Sequence, residues 1–170
     1  MATFLKIGST GAPTTESTVA TSAGATDAGK VPGLDGGGKL DATFMPTGFG
    51  ADTRTVTAGE TLAAGDLIYL NGSGAAMKAD ANAPAKAAIG FVLSGIANAA
   101  TGTAYFGSGI IAGQSGLTPG APYFLSNTST GDFALYASLT LVSGDIVQKV
   151  GAALSATELY FEPEAIIVIS

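Results

Sequence analysis

Between Gly8 and Lys30, nineteen of twenty-three residues are Gly, Ala, Ser, Thr or Pro, and Val19 is the only large apolar side chain in the stretch. Such a segment has almost nothing to bury, so it cannot offset the roughly 1 to 2 kcal/mol per residue that fixing a backbone costs. It must be held by another surface. Beyond Arg54 the character reverses: Leu67-Ile68-Tyr69-Leu70, Ile89-Gly90-Phe91-Val92-Leu93 and Ile166-Ile167-Val168-Ile169 recur between turn signals, and clusters of that kind build a core. The change falls near Ala51. It divides an extended N-terminal arm, residues 1 to 53, from a compact head, residues 54 to 170.

A chain of 170 residues with 46% hydrophobic content is long enough for one ordinary domain plus an appendage. Charged residues make up only 12%, against about 25% in a typical soluble domain. Two explanations fit. Either much of the surface is covered by partners, or abundant Gly, Ala, Ser and Thr leave it neutral but wettable. Seven scattered Lys and Arg supply no phosphate-neutralising patch, so nucleic acid is not an expected partner. Residues 51 to 170, with four basic and nine acidic residues, carry about −5 of the net −6, which fits an outward-facing position for the head. Cysteine is absent, so stability must come from packing and strand pairing. No apolar run approaches the roughly 18 residues that span a bilayer, and Met1 to Gly11 has no secretory pattern. The expectation is a soluble protein made in the cytoplasm, with no membrane partner.

The arm is not merely a tail, because it carries spaced apolar anchors: Phe4, Leu5, Ile7, Val31, Leu34, Leu40, Phe44, Met45 and Phe49. Pro32-Gly33, Asp35-Gly36-Gly37-Gly38 and Pro46 between them favour tight bends and forbid a continuous helix. The spacing predicts extended chain, with one helical turn from Asp41 to Met45 capped by Asp41 and ended by Pro46. Nine or ten large side chains, each worth about 1.5 to 3 kcal/mol on burial, would offset much of the ordering cost if a partner's grooves received them. These nine anchors are the candidate partner-binding residues.

In the head, ten strands are predicted: Thr55 to Ala58, Asp66 to Leu70, Ala76 to Ala79, Ala87 to Leu93, Gly102 to Phe106, Pro122 to Leu125, Phe133 to Tyr136, Ile146 to Val150, Glu158 to Phe161 and Ala165 to Ile169. Short segments punctuated by Asn71-Gly72, Thr130-Gly131-Asp132, Ser143-Gly144-Asp145 and Glu162-Pro163-Glu164 imply an all-β head, a small barrel or sandwich. Leu159 and Phe161 alternate with Glu158, Tyr160 and Glu162, as in a strand wet on one face. Ile166 to Ile169, apolar on both faces, is expected to be central or interfacial.

Little catalytic chemistry is on offer. Without His, Cys or Trp, the usual general base, thiol nucleophile and soft metal ligands are missing. Glu158, Glu162 and Glu164 invite comparison with glycosidase carboxylates, but they read as a solvated strand edge and turn. Gly72-Ser73-Gly74 and Gly107-Ser108-Gly109 do not complete a phosphate-loop pattern and read as turn glycines. Asp27, Asp35 and Asp41 lack the spacing of a calcium loop. No enzyme activity, cofactor or metal is expected.

From Gly29 onward the chain resembles the capsid decoration, or cement, proteins of tailed bacteriophages. The resemblance is carried by Ala28-Gly29-Lys30-Val31 with Leu34-Asp35 and Lys39-Leu40-Asp41, by Phe44-Met45-Pro46-Thr47-Gly48, and by Ala63-Ala64-Gly65-Asp66-Leu67-Ile68. It continues through Lys86 to Val92, Ser115 to Leu125 and Val150 to Leu159; residues 1 to 27 match least. It implies a small β-barrel or β-sandwich on the outer capsid surface of the virion, bound to the major capsid protein and grouped as homotrimers, that stabilises the shell. The Gly-Leu-Thr-Pro-Gly segment at 116 to 120 is also similar to stretches of phage tail and fibre proteins, so a tail or fibre component, or a host-binding adhesin, is the alternative.

Overall fold

The computed structural model describes residues 3–45 and 52–170, which fall in two compact units, Met1–Phe49 and Gly50–Ser170. The predicted role of Pro46 in ending a helical turn, the anchor Phe49 and the composition change near Ala51 lie outside the described residues.

In the first unit, the expected irregular arm contains regular pairing. Strands β1 (Thr3–Ile7) and β2 (Pro13–Ser17) form an antiparallel hairpin with Thr3 opposite Ser17 and Ile7 opposite Pro13. Gly8 N–H closes the turn on the Ala12 carbonyl at 2.8 Å. The small residues that predicted only extended chain therefore still pair, because a ladder needs main-chain groups rather than large side chains. Further on, Val19 and Pro32 form a parallel bridge, with Val19 N–H donating to Val31 O (3.1 Å) and Gly33 N–H to Val19 O (2.7 Å). The turn predicted at Asp41 to Met45 is a 3-10 turn, Ala42–Phe44, and the Asp41 carboxylate accepts the Thr43 N–H at 2.9 Å.

The second unit is all-β. Its strands are β3 (Asp52–Thr57), β4 (Leu67–Leu70), β5 (Ala76–Lys78), β6 (Gly90–Val92), β7 (Thr101–Phe106), β8 (Gly109–Ala112), β9 (Pro122–Leu125), β10 (Phe133–Ala134), β11 (Ile146–Val147), β12 (Lys149–Ala153), β13 (Glu158–Phe161) and β14 (Ile167–Val168). One antiparallel sheet runs β3-β7-β6-β4-β5, a second runs β10-β9-β12-β13-β8, and β11 pairs with β14 alone. Neither five-stranded sheet closes into a barrel. They face one another as a sandwich: Leu67 and Phe91 from the first share a buried cluster with Ile111, Leu125, Val150, Leu159 and Phe161 from the second. Phe91 holds the centre, its ring 5.2 Å from Phe161 edge-on and 5.4 Å from Tyr105 in a stack.

The first sheet is covered on its other face as well. Val56, Ile68, Val92 and Ala104 meet Leu62 and Ile96, which come from loops bridged to each other. That explains why Leu67-Ile68 and Phe91-Val92 are apolar without alternation. Within the second sheet, β12 shifts register between Lys149 and Gly151. Gly151 sits at φ 155°, and a Cβ there would meet the Tyr160 carbonyl oxygen at 1.9 Å, so only glycine lets the bulged strand lie against β13.

Some predicted turns and strands require correction. Gly107-Ser108-Gly109 is not wholly a turn, since Gly109 opens β8, where its bare Cα lets Phe91 approach. Ala165 to Ile169 is not a central strand. Its paired residues Ile167 and Val168 are exposed on a two-stranded edge.

Candidate partner-binding surface of the arm

Strand geometry sorts the anchors of the hairpin. Leu5 lies opposite Thr15 and Ile7 opposite Pro13, so Thr3, Leu5, Ile7, Pro13, Thr15 and Ser17 share one uncharged face. Phe4, Lys6, Thr14 and Glu16 share the other, where Lys6 pairs with Glu16. Leu5 and Ile7 are 75% and 71% exposed, whereas Phe4 is half-buried. The structure thus brings Leu5 and Ile7 together and separates Phe4 from them. Strict alternation in Thr3-Phe4-Leu5-Lys6-Ile7 carries that division, and it would also have found Pro13 and Thr15 once the pairing was known.

The remaining anchors sit on loops fixed by carboxylates. Asp27 accepts the Ala23 N–H (2.6 Å) and the Lys30 ammonium (2.7 Å), closing the 3-10 turn Gly24–Asp27 just before Val31. Asp35 accepts the Gly37 and Lys39 N–H groups at 2.8 and 2.9 Å, which shapes the loop between Leu34 and Leu40. Ser22 N–H donates to Thr43 Oγ1 at 2.7 Å, tying the small-residue stretch to the turn that carries Phe44. Val31, Leu34, Leu40 and Met45 are exposed and Phe44 is half-buried. Leu34 also borders an open hollow of about 770 Å³ with Thr18, Ala20, Pro32 and Gly33.

Two of the arm's carboxylates, Asp27 and Asp41, are held ionised by their turns. Donation from the Lys30 ammonium, then from the Ala23 N–H, lowers the pKa of Asp27 below its ordinary value. The Thr43 hydroxyl, then the Thr43 N–H, does the same for Asp41. The three aspartates considered for calcium therefore serve three separate turns, and among the described residues no group of three or more metal-ligating side chains converges. Glu164 is engaged by Lys149 at 2.5 Å, and Ser155 Oγ lies 3.5 Å from Glu158. No helix among the described residues is long and apolar enough to cross a membrane.

One property sets the arm apart. Among residues 3–41 and 43–45, none is buried, while every core residue among those described lies between Val56 and Phe161. A two-stranded hairpin is marginal in water without a surface beneath it. The arm is an ordered backbone that leaves Leu5, Ile7, Val31, Leu34, Leu40 and Met45 outward, a form suited to docking. No protein-family model matches the chain, and no curated protein matches it in sequence.

Proposed function

We propose that the chain is a structural virion protein that binds the outer surface of an assembled bacteriophage capsid and strengthens it, gripping through the arm while the head faces outward. The observation that carries this reading is the arm's lack of any buried residue across residues 3–41 and 43–45 beside its exposed Leu5, Ile7, Val31, Leu34, Leu40 and Met45. The resemblance of residues 29 onward to decoration proteins supplies the partner, the major capsid protein. The mechanism is adhesive, with no catalytic step. Joining several copies would multiply the arms and raise effective concentration, turning modest single-arm affinity into firm attachment.

The test is binding of the full chain to undecorated shells, with Leu5→Ser and Ile7→Ser combined in a variant. Some 70% of each side chain is still in water, so docking gains about 1 to 2 kcal/mol from each, and losing both weakens binding roughly thirtyfold or more. Thermal stability should not move, because neither residue is buried in the free chain. Affinity within about threefold of the parent would sink the assignment of the grip to the hairpin. Failure of the parent to bind shells or protect them from heat would sink the cement reading itself.

A second reading, a fibre component or adhesin, draws on Tyr136. Predicted to lie in a strand, it sits instead in a 3-10 turn, Tyr136–Ser138, is 55% exposed, and meets Phe124 edge-on at 5.4 Å. Exposed rings of this kind can stack on a sugar. Labelled electron microscopy of particles separates the two, since cement labels the whole shell and a fibre labels only the tail or fibre positions.

A further inference from the structure

Strand β14 is an uncharged edge presented on a rigid base, and its main-chain geometry shows which groups are open. Ile146 lies opposite Val168 but donates its N–H to the Ala81 carbonyl (2.7 Å), so this pair is not joined by hydrogen bonds. The next residue, Ile169, donates to the Asp145 carbonyl at 2.8 Å. Antiparallel ladders alternate, so the N–H and C=O of Val168, and by the same alternation those of Ile166, face away from β11. Ile166, Ile167 and Val168 are 37%, 65% and 51% exposed.

The strand is held at both ends. Gln148 Nε2 donates to the Glu164 carbonyl at 3.3 Å, and Gly144 N–H donates to the Ile169 carbonyl at 2.9 Å. The latter bond also fixes the loop that carries exposed Val142. Proteins commonly blunt such edges with charge, proline or a bulge. Edge strand β3 carries Asp52 and Arg54, but Ala165 to Ile169 carries none of these devices.

We propose that β14 is a self-association surface, on which a second copy of this chain adds its own β14 antiparallel across a two-fold axis. The argument for a second copy is complementarity. Centred on Ile167, the pairing sets Ile167 against Ile167, Ile166 against Val168 and Ala165 against Ile169, so no charge meets apolar surface or its like. Glu164, which leads into the strand, is already neutralised by Lys149 at 2.5 Å. Ile166 and Val168 of each copy exchange about four main-chain hydrogen bonds, and the apolar side chains on both faces are covered. The contact joins copies in pairs, unlike the three-fold grouping implied by the family resemblance, and it stands whether or not the protein binds a capsid.

Sedimentation velocity of the full chain over a concentration series, with hydrogen exchange at Ile166 and Val168, tests the proposal. The parent should move reversibly from monomer to dimer, with both amides gaining protection as dimer accumulates. Val168→Pro removes an N–H with no role inside the chain and two symmetry-related bonds of the dimer, so dimerisation should weaken about tenfold. Ile167→Lys places like charges opposite each other at the axis and should abolish it; if the proline variant proves misfolded by circular dichroism, this variant decides. A parent that stays monomeric throughout, or any dimer or trimer that Ile167→Lys leaves intact, overturns the proposal.

Discussion

Removing the Gln148 side chain should unfasten the head from within. Gln148 is 3% exposed and acts as a substitute strand residue: its Oε1 accepts the Ala88 N–H at 2.8 Å and its Nε2 donates to the Ala88 carbonyl at 2.9 Å. Ala88 is 1% exposed, so water cannot replace either bond. Gln148→Leu keeps most of the volume but leaves one donor and one acceptor buried without partners, at about 1 to 3 kcal/mol each. The expected loss is therefore on the order of 2 to 6 kcal/mol, a large share of the roughly 5 to 15 kcal/mol that hold a domain of this size together. Urea unfolding followed by far-ultraviolet circular dichroism measures it, and the midpoint should fall with the slope unchanged. A loss smaller than about 0.5 kcal/mol would show that the Ala88 groups find other partners, and the reasoning would fail.

Ala99 is the only non-glycine among the described residues with a positive φ, 63°, so Ala99→Gly should raise stability by about 0.5 to 1 kcal/mol; a lowered urea midpoint would refute the strain. The arm's turns should loosen in acid. Asp27 and Asp41 titrate lower folded than unfolded, so their contribution is full above the ordinary aspartate value of 3.8 and is lost as pH falls through their depressed values. In an acid titration followed by nuclear magnetic resonance, the Ala23 and Thr43 amide signals should move with midpoints below that ordinary value, and midpoints at or above it would contradict the assigned bonds.

Legibility in the sequence followed the strength of local punctuation. Pro122–Leu125 and Glu158–Phe161 occupy the predicted spans because turns bound each and side-chain alternation marks the second. Strand β8 escaped notice because its first residue is a glycine needed for contact with Phe91, a partner distant in sequence. The single strand predicted from Ile146 to Val150 is two, since Gln148 turns inward to Ala88 where a ladder residue would continue. The β1–β2 hairpin was hidden for a different reason: Pro13–Ser17 carries no apolar alternation, and its pairing is visible only through main-chain bonds. For the arm's candidate anchors, sequence order does not set their sides: Phe4 is grouped with Leu5 and Ile7 there, and the hairpin places it on the opposite face.

The prediction for Ile166 to Ile169 shows why an apolar pattern underdetermines a site. Hydrophobicity on both faces of a strand says that both faces prefer to be covered, not that the same chain covers them. In the head that inference holds for Phe91-Val92, where loops carrying Leu62 and Ile96 close over the second face. At β14 no such loop exists among the described residues, although Gln148 and Gly144 hold the strand's ends in place. A floppy apolar tail would lose entropy on pairing, whereas a strand already fixed at both ends has less left to lose. The arm differs on that count, because its turns rest on aspartate side chains and its hairpin on no core. Equal apolar area at the two places should therefore yield different affinities: β14 binds a matching edge with little reorganisation, and the arm needs several anchors engaged together.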